Sequence, residues 1–190
     1  MAYTFTEYYA SASSTNHLLT APSSIVSGDE LVIFCIVGQD AAVTTPAGWT
    51  LRETGDLDSS LGKVYLFTKS SDGTETDITL VAAASSKICG FYVSVEDLVY
   101  DVSDVGAGTS SSCDCPSVVN TEDNSTVFVF GGADSSGFSP TTPEPSGTTK
   151  VGSGVSAGGD KCGAGLAEFD QVTAGATGVQ LWVMPVSEQW

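Results

Sequence analysis

The sequence predicts an all-β protein, an antiparallel β-sandwich of jelly-roll type, and three observations lead there. First, Ser, Thr and Gly number 26, 21 and 21 of the 190 residues, whereas the usual surface-helix formers are scarce. Second, no segment sustains a helical 3.6-residue apolar period for three turns, and no internal repeat recurs at a fixed spacing. Third, short runs rich in β-branched and aromatic residues recur between clusters of turn residues. At 19.4 kDa the length suits one domain over residues 1–190, which buries roughly 70% of its unfolded surface without needing disulfides or a metal.

The expected strands, in order, are Tyr3–Tyr9, Leu31–Val37, Trp49–Glu53, Val64–Lys69, Ile78–Ala83, Cys89–Val95, Thr126–Phe130, Gly165–Val172 and Val179–Val186. Ser27-Gly28-Asp29, Pro46-Ala47-Gly48, Ser71-Asp72-Gly73 and Gly131-Gly132-Ala133-Asp134 are natural turns between them. Phe34, Trp49, Tyr65, Phe128 and Trp182 are the expected large core side chains. Leu31–Val37 and Val127–Phe130 are apolar on both faces, and such a strand is covered on both. A partner subunit or an internal loop would supply the second cover. The stretch from Gly132 to Lys161, rich in Ser, Gly, Thr and Pro, reads as an irregular excursion, either a surface loop or an arm that orders against a neighbour.

Charge and cysteine content narrow the function. Six Lys and Arg against 23 Asp and Glu give a net charge of −17, which argues against a nucleic-acid partner. The N-terminus lacks the basic and apolar regions of a signal peptide, and the apolar run Leu31–Val37 falls far short of the ~20 residues that span a bilayer. The expectation is a protein made in a cytoplasm, with no membrane partner. Five cysteines cannot all pair. Cys35 and Cys89 sit in apolar runs and read as small buried hydrophobes. Cys113-Asp-Cys115 has the wrong spacing for structural zinc, and a disulfide from Cys162 to one of that pair is the better reading.

Catalytic motifs fail on context. Gly154-Val-Ser156-Ala-Gly158 matches a nucleophile elbow in letters alone. The Gly159-Asp-Lys-Cys-Gly run after it cannot be a helix, and the single histidine, His17, precedes it in a polar segment that reads as surface. Gly152-Ser-Gly154-Val-Ser-Ala157 fits a dinucleotide fingerprint but has no βαβ unit around it. Asp56-Leu-Asp58, and Asp97 with Asp101 and Asp104, resemble calcium ligands but read more simply as solvated turn carboxylates. No enzyme, metal or cofactor is expected.

Gly28-Asp-Glu-Leu-Val, Thr45-Pro-Ala-Gly-Trp-Thr-Leu, Lys63-Val-Tyr-Leu-Phe-Thr-Lys, Gly73-Thr-Glu and the late Leu181-Trp-Val-Met-Pro together resemble β-sandwich proteins common among tailed-phage structural genes. The likeness covers about half the chain. It departs from the family where Ser94-Val-Glu-Asp-Leu replaces the usual Gly-Val-Asp, and the Gly132–Lys161 stretch has no counterpart. The resemblance implies a capsid decoration (cement) protein on the virion surface, made in the bacterial host cytoplasm. Its partners would be the major capsid protein and copies of itself, a trimer by shell symmetry. Contacts are expected from Tyr3, Tyr8 and Tyr9, from Phe138, Pro140, Pro143 and Pro145 in the excursion, and from Trp190. A tail or receptor-binding component is one alternative, although no shaft repeat is present. A carbohydrate-binding module using Tyr3, Tyr8, Tyr9, Tyr92 and Tyr100 is another.

Overall fold

The computed structural model describes residues 2–57, 62–96, 100–134, 141–158 and 161–189, with only the backbone of 109–111 and 185–189. The described residues contain no helix. Their strands are β1 (Tyr3–Tyr9), β2 (Ser14–Leu19), β3 (Ser27–Gly38), β4 (Val43–Thr44), β5 (Thr50–Asp56), β6 (Gly62–Asp72), β7 (Ile78–Ser86) and β8 (Ile88–Val95). The second half adds β9 (Thr109–Cys115), β10 (Val119–Asn120), β11 (Ser125–Ala133), β12 (Thr149–Val155), β13 (Gly163–Gln171), β14 (Gly175–Ala176) and β15 (Gln180–Gln189). All pairings are antiparallel.

The sheets divide by sequence. Residues 3–95 make a five-stranded sheet, β1-β8-β3-β6-β5, and a three-stranded one, β2-β7-β4. Residues 109–189 make β11-β13-β12, β15-β9 and the small β10-β14 ladder. Three apolar clusters join these sheets face to face. Odd residues of β3, from Leu31 to Val37, pack with Leu19, Val43, Leu80 and Ala82 of the three-stranded sheet. The even residues Val32, Phe34 and Ile36 pack with Ala164 and Leu166 of β13 and with Phe128 and Phe130 of β11. The opposite side chains of β11 and β13, including Val129 and Ala167, pack with Trp182 and Met184 of β15.

This layering explains the strands that are apolar on both faces. The second cover of β3 is neither a partner subunit nor a loop; it is the chain's own β11-β13-β12 sheet. Among the expected core residues, Phe34, Tyr65 and Trp182 are buried, Phe128 is half-buried, and Trp49 lies edge-on to Tyr92 at 5.6 Å.

The excursion needs correction. Thr149–Val155 is a strand paired along β13 with one irregularity between Lys150 and Gly152, so the irregular reading fails for that part of Gly132–Lys161. Its low β-propensity misleads because its glycines serve packing: a Cβ on Gly154 would meet the Tyr9 ring, and one on Gly152 would meet Glu7 and Phe91. His17 also differs from expectation, since it is fully buried on β2. Its Nδ1 lies 3.1 Å from the Tyr8 hydroxyl and its Nε2 lies 3.0 Å from the Ser14 carbonyl. That geometry makes Nε2 the donor and Nδ1 the acceptor.

Candidate functional site: an apolar cleft and an uncovered sheet face

The central sheet is five strands wide and its β11-β13-β12 cover only three. The cover sits over the β8 side, where Phe130 meets Phe91 edge-on at 6.2 Å, and over β1, where β12 receives Tyr9. The β6–β5 side is left open as a cleft of about 650 Å³. Strand register lays out its floor in rows: Val32; then Phe34, Leu66 and Glu53; then Ile36 and Val64.

The segment from Tyr100 to Gly106 borders the cleft and is pinned to β5. Ser103 Oγ donates to Glu53 at 2.9 Å and lies 2.7 Å from the Tyr100 hydroxyl. The Arg52 guanidinium lies 4.2 Å from the centre of the Tyr100 ring, and its Nε donates to Thr68 at 2.8 Å. Glu30, Glu53, Asp101, Asp104, Asp114, Glu122 and Asp123 line the cleft, and no lysine, arginine or histidine does so among the described residues. Burial raises the Glu30 carboxyl above its ordinary range, opposed by a hydrogen bond from Thr68 and by the charge of Arg52. The chemistry suits neutral or cationic apolar groups and disfavours anions.

Hydroxyls in the cleft meet carboxylates, Ser103 with Glu53 and Thr121 with Asp101, but no histidine lines it among the described residues. The one histidine, His17, lies beyond the opposite face of the central sheet. Ser156 is buried and structural: its N–H donates to the Cys162 carbonyl at 2.9 Å, and its Oγ accepts from the Cys162 N–H at 3.0 Å. Among the described residues no three His, Cys, Asp or Glu side chains converge to hold a metal. Asp56 instead pairs with Lys63, which also meets Asp40 at 2.9 Å. Asp101 accepts from Thr121 N and Oγ1, while Asp58 and Asp97 lie outside the described residues.

A second surface lies on β15. Trp182 and Met184 point into the third cluster, while the alternating Val179, Leu181 and Val183 are 59%, 46% and 55% exposed. Opposite them on β9 stand Asp114, paired with Leu181, and Ser112, paired with Val183. Val119 of β10 and Val172, just past β13, are also exposed. The alternation was legible in Leu181-Trp-Val-Met; the orientation of the stripe depends on which side of β15 the other sheets cover.

The expected contact residues scatter. Tyr3 turns its ring edge-on to Phe128 at 5.7 Å, Tyr8 bonds His17, and Tyr9 packs on Phe91 and Gly154. Tyr92 is buried and Tyr100 is half-buried under Arg52, so these five rings form no exposed platform. Pro143 is exposed, whereas Pro145 is buried and its carbonyl accepts from Thr148 N and Oγ1. Phe138, Pro140 and Trp190 lie outside the described residues. Cys162 is not beside Cys113 or Cys115; its sulfur neighbour is Cys89, because β13 docks on the central sheet while β9 packs on the far side of β13.

No family, no curated protein and no solved structure matches this chain.

Proposed function

We propose that the chain is a structural component of a tailed-phage virion, a decoration (cement) protein that coats the capsid. In this reading it binds the major capsid protein and further copies of itself, with a trimer as the form that shell symmetry favours. The face-to-face stacking of antiparallel sheets supports placing it among β-sandwiches with jelly-roll-like connections.

The observation that carries the reading is β15. The central strand β3, apolar on both faces, is covered on both, whereas the stripe Val179-Leu181-Val183 is bare. Covering the exposed halves of three such side chains contributes on the order of 3 kcal/mol. Association costs roughly 4–15 kcal/mol. A single copy therefore attaches weakly through the stripe alone, and a closed oligomer presenting several stripes to a repeating shell overcomes the deficit. The net charge of −17 adds attraction to a basic patch on the shell, which salt weakens. The motif resemblance supplies the class of assembly.

The test is quantitative mass spectrometry of purified virions of the encoding phage, reading the copy ratio of this chain to the shell protein. A ratio near one, or a simple fraction of it, is expected. A handful of copies moves the protein to the tail or a vertex, and absence overturns the virion reading. Leu181→Asp with Val183→Asp is expected to keep the fold and lose shell binding.

A further inference from the structure

Two buried thiols meet where the halves of the molecule join. Cys89 is the second residue of β8, flanked by Tyr9 of β1 and Ile36 of β3. Cys162 immediately precedes β13, and both side chains are fully buried in the second cluster. Cys162 Sγ is 2.8 Å from Cys89 Sγ, and Cys89 Sγ donates to the Cys162 carbonyl at 2.9 Å. The Cys162 backbone is fixed by its paired hydrogen bonds with Ser156. No other thiol competes. Cys35 points into the first cluster, on the opposite face of the central sheet, and Cys113 and Cys115 belong to the third.

We propose that Cys89 and Cys162 form a disulfide that fastens β13 to the central sheet, and that the redox poise during folding decides whether the bond is made. The oxidant is a small disulfide such as oxidised glutathione. While β13 is undocked, the Cys162 thiolate attacks one glutathione sulfur, breaking that S–S bond and releasing one glutathione thiolate, which takes up a proton. The Cys89 thiolate then attacks the Cys162 sulfur of the mixed disulfide, forming the Cys89–Cys162 bond and expelling the second glutathione. Two protein thiols are oxidised and one small disulfide is reduced.

Once β13 has docked, neither direction is easy. Burial, with the neighbouring Cys162, pushes the Cys89 thiol far above its ordinary value, so the reactive thiolate is suppressed. The same apolar walls shield a completed bond from attack by reductant. The chain therefore preserves the redox history of its folding. This inference does not depend on the virion reading.

The test is to refold the full chain separately in oxidised and in reduced glutathione, then denature, alkylate with iodoacetamide, and measure intact mass and linked peptides. After oxidative refolding, three of the five cysteines are expected to take the label, with one linked peptide pair containing Cys89 and Cys162. After reductive refolding all five take it. The bond closes a long loop and is expected to raise Tm by on the order of 10 °C. Cys113→Ser keeps the bond and the shift, and Cys162→Ser loses both. Five free thiols after oxidative refolding, or a bond mapped to any other pair, overturns the proposal. Should Cys162→Ser fail to fold, the wild-type peptide map decides alone.

Discussion

His17 shows how one side chain escapes a reading by composition. It comes after Ser11-Ala-Ser-Ser-Thr-Asn, a polar run that suggests surface, and nothing local reveals that Tyr8 stands ready to receive it. The signal present was alternation: His17 and Leu19 are buried and Leu18 between them is 55% exposed. Burial lowers the His17 pKa, opposed by hydrogen bonds to Ser14 and Ser86. The folded state therefore resists the proton that the unfolded chain accepts below about pH 6.5. The stability tied to a neutral His17 is present above that pH and is lost as pH falls toward the lowered folded value. Urea unfolding between pH 8 and 5 is expected to show this fall in the wild type and a flatter profile in His17→Gln. Parallel profiles would show that the ring is protonated without cost. The cysteines were easier to read, because Cys35 and Cys89 lie inside uninterrupted apolar runs and are fully buried.

At the scale of elements, all nine expected strands exist, several of them longer than their apolar runs. Strands such as β3 and β8 announce themselves through Val, Ile and aromatic residues. Missed were β2, β9 and β12 and the two-residue ladders, whose Ser, Gly, Asn and Asp carry little intrinsic strand preference; their neighbours impose the conformation. The cleft was illegible for a related reason, since it arises from a mismatch in sheet width. The β6–β7 turn shows the opposite case, a motif with a readable physical role. Gly73 takes a φ of +84°, and Glu75 gathers Ser71 Oγ at 2.5 Å, Asp72 N and Gly73 N at 3.1 Å, and Lys69 Nζ at 3.0 Å. Burial works to raise this carboxyl, but the hydrogen bonds from Ser71, Lys69 and the backbone prevail and lower it to about 2. A depressed carboxyl stabilises the fold above the unfolded value near 4.5, and that contribution is lost as pH falls toward 2. Glu75→Gln is expected to cost roughly 1.5–3 kcal/mol at neutral pH. In urea titrations at successive pH values, the variant and wild type should converge near pH 2; a constant gap would assign the loss to packing.

For the whole molecule, the decisive fact is that each half owns a cluster and the two share a third. Phe34 stacks on Phe130 at 5.5 Å across that shared cluster, and Leu166 is fully buried within it. Leu166→Ala is expected to cost about 2–5 kcal/mol. Because the first and third clusters are untouched, calorimetry should show the unfolding transition broaden or split, with the van't Hoff enthalpy falling below the calorimetric one. A single sharp transition, merely shifted, would mean that the halves cannot stand apart. The same division has a consequence during synthesis. The central sheet is complete once Val95 has left the ribosome, but its cover ends at Gln171. At about 5–20 residues per second, the intervening chain takes roughly 4–15 s to arrive. For that interval the nascent chain presents Val32, Phe34, Ile36, Phe91 and Val93 with nothing over them. The hazard to yield is therefore one of timing, set by elongation rate and chaperone occupancy rather than by the stability of the finished fold.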